Sequence, residues 1–150
     1  MRIIFSLFIV FQSFTGYAQT DTTQQHTDLP VIKDFVEMLS NDTVQTDVIL
    51  SNFIIVENPN DELYDYLLAS LQEIRINLMS KNIEQIEYTS FNEMPRKEIQ
   101  DIDLENLNAN HIYFLHYKKR QMLALYLKEN KIASFTLVSK GNNKAHFVLY

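Results

Sequence analysis

The run Ile112-Tyr113-Phe114-Leu115-His116-Tyr117, followed by Met122-Leu123-Ala124-Leu125-Tyr126-Leu127, opens the most regular stretch of the 150-residue chain. Two further apolar runs, 132–138 and 145–149, complete it, and all four carry the aromatic and β-branched residues that suit a pleated surface. The separators Lys119-Arg120, Glu129-Asn130 and Gly141-Asn142-Asn143 are of hairpin length. The pattern predicts an antiparallel meander.

Counting across those separators puts His116 opposite Leu123, Leu123 opposite Thr136, and Thr136 opposite Val148. One face then holds Ile112, Phe114, His116, Leu123, Leu125, Leu127, Ile132, Ser134, Thr136, Val138, His146, Val148 and Tyr150. The other holds Tyr113, Leu115, Tyr117, Met122, Ala124, Tyr126, Ala133, Phe135, Leu137, Ala145, Phe147 and Leu149. Both faces are apolar, whereas a sheet with one face in water alternates apolar with polar. Two covers are needed. Helices supply one, and the other is a curved sheet closing on itself, a second copy of the chain, or a partner protein. A slip of one residue in a hairpin would mix the two sets without making either polar. The expectation is a homodimer, or a complex with another protein, formed through a sheet face.

Upstream, Leu63, Leu67, Leu71, Ile74 and Leu78 form a helical stripe widened by Tyr64, Leu68 and Met79. With Asn58 as cap, Pro59 in the first turn and Asp61 beyond it, the spacing predicts a principal core helix over residues 59–80. Ile32, Phe35, Val36 and Leu39 predict a short helix that follows Leu29-Pro30 and ends near Ser40-Asn41. Between them, Val44, Val48, Ile49, Leu50 and Phe53-Ile54-Ile55-Val56 fit a helix or, over 52–57, a buried strand; the helical reading is preferred. Ile83, Ile86, Tyr88 and Phe91 read as a strand that Met94-Pro95 stops.

At the N-terminus, Arg2 precedes the apolar run 3–11, and small and polar residues lead to Tyr17-Ala18-Gln19. That order reads as a signal peptide, residues 1–18, cleaved after Ala18. The apolar run is shorter than the roughly 18 to 20 residues a membrane span needs, and the chain has no cysteine to carry a lipid. The ending resembles bacterial export sites, which implies a periplasmic or secreted product with no membrane attachment after cleavage. Residues 19–28 lack the apolar groups that would repay ordering and read as a disordered leader, leaving 29–150 as a single domain.

Loss of Arg2 leaves twelve cations against nineteen acids, a net charge of −7 compared with −6 for the whole chain. An acidic surface disfavours nucleic acid and anionic lipid as partners. Without cysteine the domain relies on packing, for which 46% hydrophobic residues, ten Phe and eight Tyr provide the material.

Helices first and a meander afterwards define an α+β chain, with N-terminal helices packed on one face of a curved C-terminal antiparallel β-meander. The order resembles the cystatin-like folds, in particular the nuclear transport factor 2-like superfamily. Phe35-Val36-Glu37-Met38-Leu39-Ser40-Asn41-Asp42 is similar to the end of that family's first helix, and the four runs of 112–149 to its long terminal strands. The resemblance implies a cone with a pocket between sheet and helices, but no single activity, since members isomerise or cyclise small molecules or bind proteins. His116, Ser134, Thr136, His146 and Tyr150, the polar members of one face, are the residues expected to line such a pocket. Enzymatic members place an acid there, and none of the four runs contains Asp or Glu, which argues against proton abstraction.

Other chemistry is thinly represented. Gly141 is the only glycine after residue 18, which excludes glycine-rich phosphate loops and a Gly-x-Ser-x-Gly nucleophile elbow. No His-Glu-x-x-His occurs, and His111 and His116, five apart, would face opposite sides of a strand. Asp101, Asp103 and Glu105 lack the glycine of a calcium loop, Asn106 standing in its place, and read as a solvated edge. Lys118-Lys119-Arg120, the only basic cluster, reads as a solvated hairpin turn, with an acidic partner as its functional alternative. No metal or cofactor is implied. The expected function is that of an exported, non-enzymatic domain acting through self-association or protein binding on its sheet. The alternative is a small-molecule-binding or enzymatic domain with a pocket near His116.

Overall fold

The computed structural model describes residues 22–150, with side chains from Asp28 onward; the expected signal peptide and residues 19–21 lie outside the described residues. Three helices come first: α1 (Thr22–Ser40), α2 (Thr46–Phe53) and α3 (Asp61–Met79). Then follow β1 (Ile86–Ser90), the short helix α4 (Arg96–Ile99), and strands β2 (Ile112–Tyr117), β3 (Arg120–Lys128), β4 (Lys131–Ser134), β5 (Leu137–Gly141) and β6 (Lys144–Phe147). The architecture is α+β, with N-terminal helices and a C-terminal antiparallel sheet.

The helices begin differently from the sequence expectation. Helix α1 starts at Thr22, so it takes in most of the stretch read as leader, and Pro30 lies inside it. The turn before Pro30 is fixed by a tertiary contact, since Asp28 is buried and its Oδ2 lies 2.6 Å from His111 Nδ1. Helix α2 stops at Phe53 because Ile54 turns extended (φ −102°, ψ 133°). Ile55 N then donates to Ile132 O (2.9 Å) and Glu57 N to Tyr150 O (2.8 Å). Residues 44–57 are thus helix first and a strand-like run beside β4 afterwards. The cap of α3 is Asn60 rather than Asn58: its Oδ1 accepts from Leu63 N (2.8 Å), which leaves Pro59 ahead of the helix.

Strands β1 to β4 form one sheet in chain order, and β5 and β6 a separate ribbon. All three hairpins among β2 to β6 turn on two residues with positive φ, namely Lys118-Lys119, Glu129-Asn130 and Asn142-Asn143, as type I′ turns require. The first turn is therefore one residue earlier than Lys119-Arg120. Leu115, not His116, faces Leu123, and a bulge at Leu115/His116 sets His116 opposite Gln121. A second bulge at Tyr126/Leu127 places Ser134 opposite Tyr126, so Leu123 does not face Thr136. The third expectation matches: Val148 N donates to Thr136 O (2.9 Å).

The bulge at Leu115/His116 exchanges the faces of β2 relative to β3. Tyr113, Leu115, Leu125, Leu127, Ile132, Phe135 and Tyr150 join the helix-side core with Phe35, Leu39, Ile49, Leu67 and Leu71. Ile112, Phe114, Ala124, Tyr126, Ala133 and Phe147 form the other core. Its cover comes from the chain itself. The connection from β1 to β2 packs Phe91, Met94, Ile99, Ile102, Leu104 and Leu107 over it, and the β5–β6 ribbon adds Leu137. Strap and ribbon are tied by Asp103 N to Ala145 O (2.7 Å), Ala145 N to Asp101 O (2.8 Å), and Lys140 Nζ to Asp103 and Glu105 (2.8 and 2.7 Å). The second apolar face that the sequence left in need of a partner is thus buried within one chain.

Candidate functional site

The five residues expected to share a pocket fall in three places. Ser134, Thr136 and Tyr150 are joined: Tyr150 Oη lies 2.5 Å from Thr136 Oγ1 and accepts from Phe135 N (3.0 Å), while Ser134 Oγ accepts from Thr136 N (3.1 Å). Tyr66 of α3 reaches the same cluster, its hydroxyl 3.3 Å from Thr136 Oγ1. Burial pushes the Tyr150 phenol above its ordinary pKa, against the opposing effect of its bonds to Thr136 and Phe135. The hydroxyls satisfy one another in a packed region and hold the last strand segment against β4.

His116 stands apart. It sits opposite Gln121, five positions along β3 from the Tyr126 that faces Ser134, a separation of about 17 Å at strand rise. His146 faces Val138 on the ribbon, its Nδ1 3.5 Å from Glu105 Oε1, a carboxylate that Lys140 also binds. No common pocket is formed by the five.

Two buried polar features went unread in the sequence. The Asp28–His111 pair ties α1 to the turn before β2. Beside it Tyr113 is pushed up to about 12, first by burial and then by the charges of Asp28 and Glu93. Glu93 is itself held below its ordinary pKa by hydrogen bonds from Ser90 Oγ and N (2.7 and 3.1 Å). In α3, Arg75 is buried on the stripe of Leu67, Leu71 and Leu78. Its Nε donates to Leu39 O (3.0 Å) and its Nη2 to Val44 O (2.6 Å), which satisfies carbonyls at and just beyond the end of α1. The position of Arg75, four residues after Leu71, was the available signal. Asp28, in a polar run and distant from His111 in sequence, offered none.

A concavity among the described residues lies elsewhere. A groove of about 550 Å³ is bounded by α2 (Leu50, Ser51), the extended residues Ile54, Ile55 and Val56, the start of α3 (Pro59, Asn60, Tyr64, Leu67), and the β3–β4 hairpin (Glu129, Lys131). Its floor is aliphatic because the chain leaves α2 at Ile54 and runs along β4. The polar groups around it have structural duties: Lys131 Nζ donates to Ser51 O (2.9 Å), Asn60 caps α3, and Lys128 Nζ meets Glu57 Oε1 (2.5 Å) near the hairpin.

Among the described residues no group of three or more His, Asp or Glu is placed to hold a metal ion, and no helix is long and apolar enough to cross a membrane. No family model matches the sequence, no curated protein is significantly similar to it, and no solved structure matches its fold.

Proposed function

We propose that the chain is an exported, non-enzymatic binding domain, of the nuclear transport factor 2-like kind, whose partner-facing surface is the groove between α2, α3 and the β3–β4 hairpin. Export is supported by the N-terminal order of Arg2, apolar run and Tyr17-Ala18-Gln19. The observation that carries the binding role is the groove, an open concavity of about 550 Å³ with an aliphatic floor. Each face of the four-stranded sheet carries a core, and the groove adds apolar surface that an association can use. Tyr64, 43% exposed, and Val48, 42% exposed, add large hydrophobic side chains to the exposed surface of α3 and α2. At the groove Asn60 serves as a cap and Lys131 meets a carbonyl, which favours docking over catalysis.

The size of the groove also favours the second reading, a small apolar molecule as ligand. The test uses an environment-sensitive apolar dye, sedimentation, and native mass spectrometry of the protein as purified. Tyr64→Arg, at an exposed groove position, is expected to weaken dye binding about tenfold or more with the circular dichroism unchanged. Dye binding indifferent to Tyr64→Arg refutes the groove as the site. A small molecule that co-purifies with the wild type and is lost from Tyr64→Arg selects the second reading.

A further inference from the structure

At the end of the sheet that carries the β2–β3 turn, a notch of about 180 Å³ opens between the end of α3 and the hairpin. Leu78, Leu115, Met122 and Leu123 supply its apolar lining. Lys81 stands two residues beyond the end of α3, and its Nζ bonds Asn77 O (2.7 Å), Asn77 being itself a lining residue. The Lys81 and Lys118 ammonium groups lie 5.9 and 5.3 Å from the centre of the same Tyr117 ring. Lys119 and Arg120 extend the cluster along the turn. The cations stand at the turn end of the notch, outside its lining: Lys81 through Asn77, Lys118 through the Tyr117 ring, and Arg120 opposite Tyr117 in the strand pairing.

Elsewhere some cations are matched, while Lys33, Arg96 and Lys97 likewise meet no carboxylate among the described residues. Lys128 meets Glu57, Lys140 meets Asp103 and Glu105, and Arg75 is satisfied by two carbonyls. Among the described residues Lys81, Lys118, Lys119 and Arg120 form no ion pair with a carboxylate, although the chain carries nineteen acids. Glu73 is the one acid lining the notch, and it enters from α3.

We propose that this notch docks an acidic peptide segment carrying one apolar anchor side chain. The anchor enters between Leu78, Leu115 and Met122, and the flanking carboxylates meet Lys81, Lys118, Lys119 and Arg120. The notch has room for a single side chain, which suits a short linear segment rather than a folded surface. The four cations without acid partners select its charge. The inference rests on the protein-binding reading but uses a different surface from the groove.

The test is fluorescence anisotropy with a short labelled polyglutamate peptide that carries one central leucine. Binding is expected at low ionic strength and to weaken about tenfold in ~0.5 M salt. The double variant Lys118→Asn/Lys119→Gly installs the residues a type I′ turn prefers, so it folds, and it is expected to weaken binding about tenfold through the two lost charges. Leucine to serine in the peptide is expected to weaken it several-fold. Affinity unchanged by the double variant or by the leucine replacement overturns the proposal. So does tighter binding to anionic phospholipid vesicles or duplex DNA than to the peptide. Tyr64→Arg serves as the separate control: a failed peptide with an intact groove phenotype removes this inference alone.

Discussion

Arg75 offers the most exacting test of how the helical layer is held. It is 6% exposed, and its guanidinium donates to Leu39 O at 3.0 Å and to Val44 O at 2.6 Å. A hydrogen bond from a charged donor contributes about 1.5–3 kcal/mol, so the two bonds represent about 3–6 kcal/mol before allowance for the cost of desolvating the cation. That desolvation cost lowers the net, because an apolar side chain in its place needs none. Arg75→Met retains much of the aliphatic stem and removes the donors, and is expected to destabilise by about 2–3 kcal/mol, chiefly through the stranded carbonyls. Arg75→Ala also forfeits the stem's packing and should cost about 3–5 kcal/mol, a large part of the 5–15 kcal/mol typical of a domain. Urea unfolding followed by circular dichroism reads these as shifts in midpoint at constant slope. Hydrogen exchange of the α1–α2 junction should show its protection falling first. Arg75→Met within about 0.5 kcal/mol of wild type, a value typical of neutral surface changes, would refute the claim that these carbonyls depend on Arg75.

Three further outcomes follow from the buried groups. Asp28→Ala breaks the 2.6 Å contact with His111 and should destabilise by about 2–4 kcal/mol in chemical denaturation; an unchanged midpoint would mean that the start of α1 is not anchored there. Tyr113, pushed up to about 12, should be among the last tyrosines to ionise in an ultraviolet titration, and Asp28→Asn should bring it down. Because its folded value is raised above the ordinary 10, its stabilising effect is complete below pH 10 and is lost as pH rises through about 12. Tyr150→Phe deprives Phe135 N and Thr136 Oγ1 of their common partner; a loss of about 1–2 kcal/mol is expected in thermal or urea unfolding, and none if water replaces the hydroxyl.

The α+β class, the hairpin-rich C-terminus and the core helix through Leu67, Leu71 and Leu78 were legible in the sequence. Each is set by spacing within one element, which is a local property of the backbone. The match of Thr136 with Val148 rests on a compensation: the turn is Asn142-Asn143 rather than the three-residue separator Gly141-Asn142-Asn143, and an irregularity between Ser139 and Gly141 restores the register. At the first hairpin the turn falls on Lys118-Lys119 rather than Lys119-Arg120, which by itself keeps the faces, and the bulge at Leu115/His116 then turned β2 over relative to β3 and dispersed the residues expected to line one pocket. The sequence also required a second cover for the sheet without being able to say that residues 91–111 supply it. The pairing of Asp28 with His111 and of Arg75 with Leu39 and Val44 was equally hidden, because the partners are brought together only by the fold. Thus the chain's own periodicity determined which elements form and which of their faces are apolar. The tertiary structure alone decided what covers those faces, where the groove and the basic notch open, and which buried charges are satisfied, because burial and pairing across long sequence separations have no local signature.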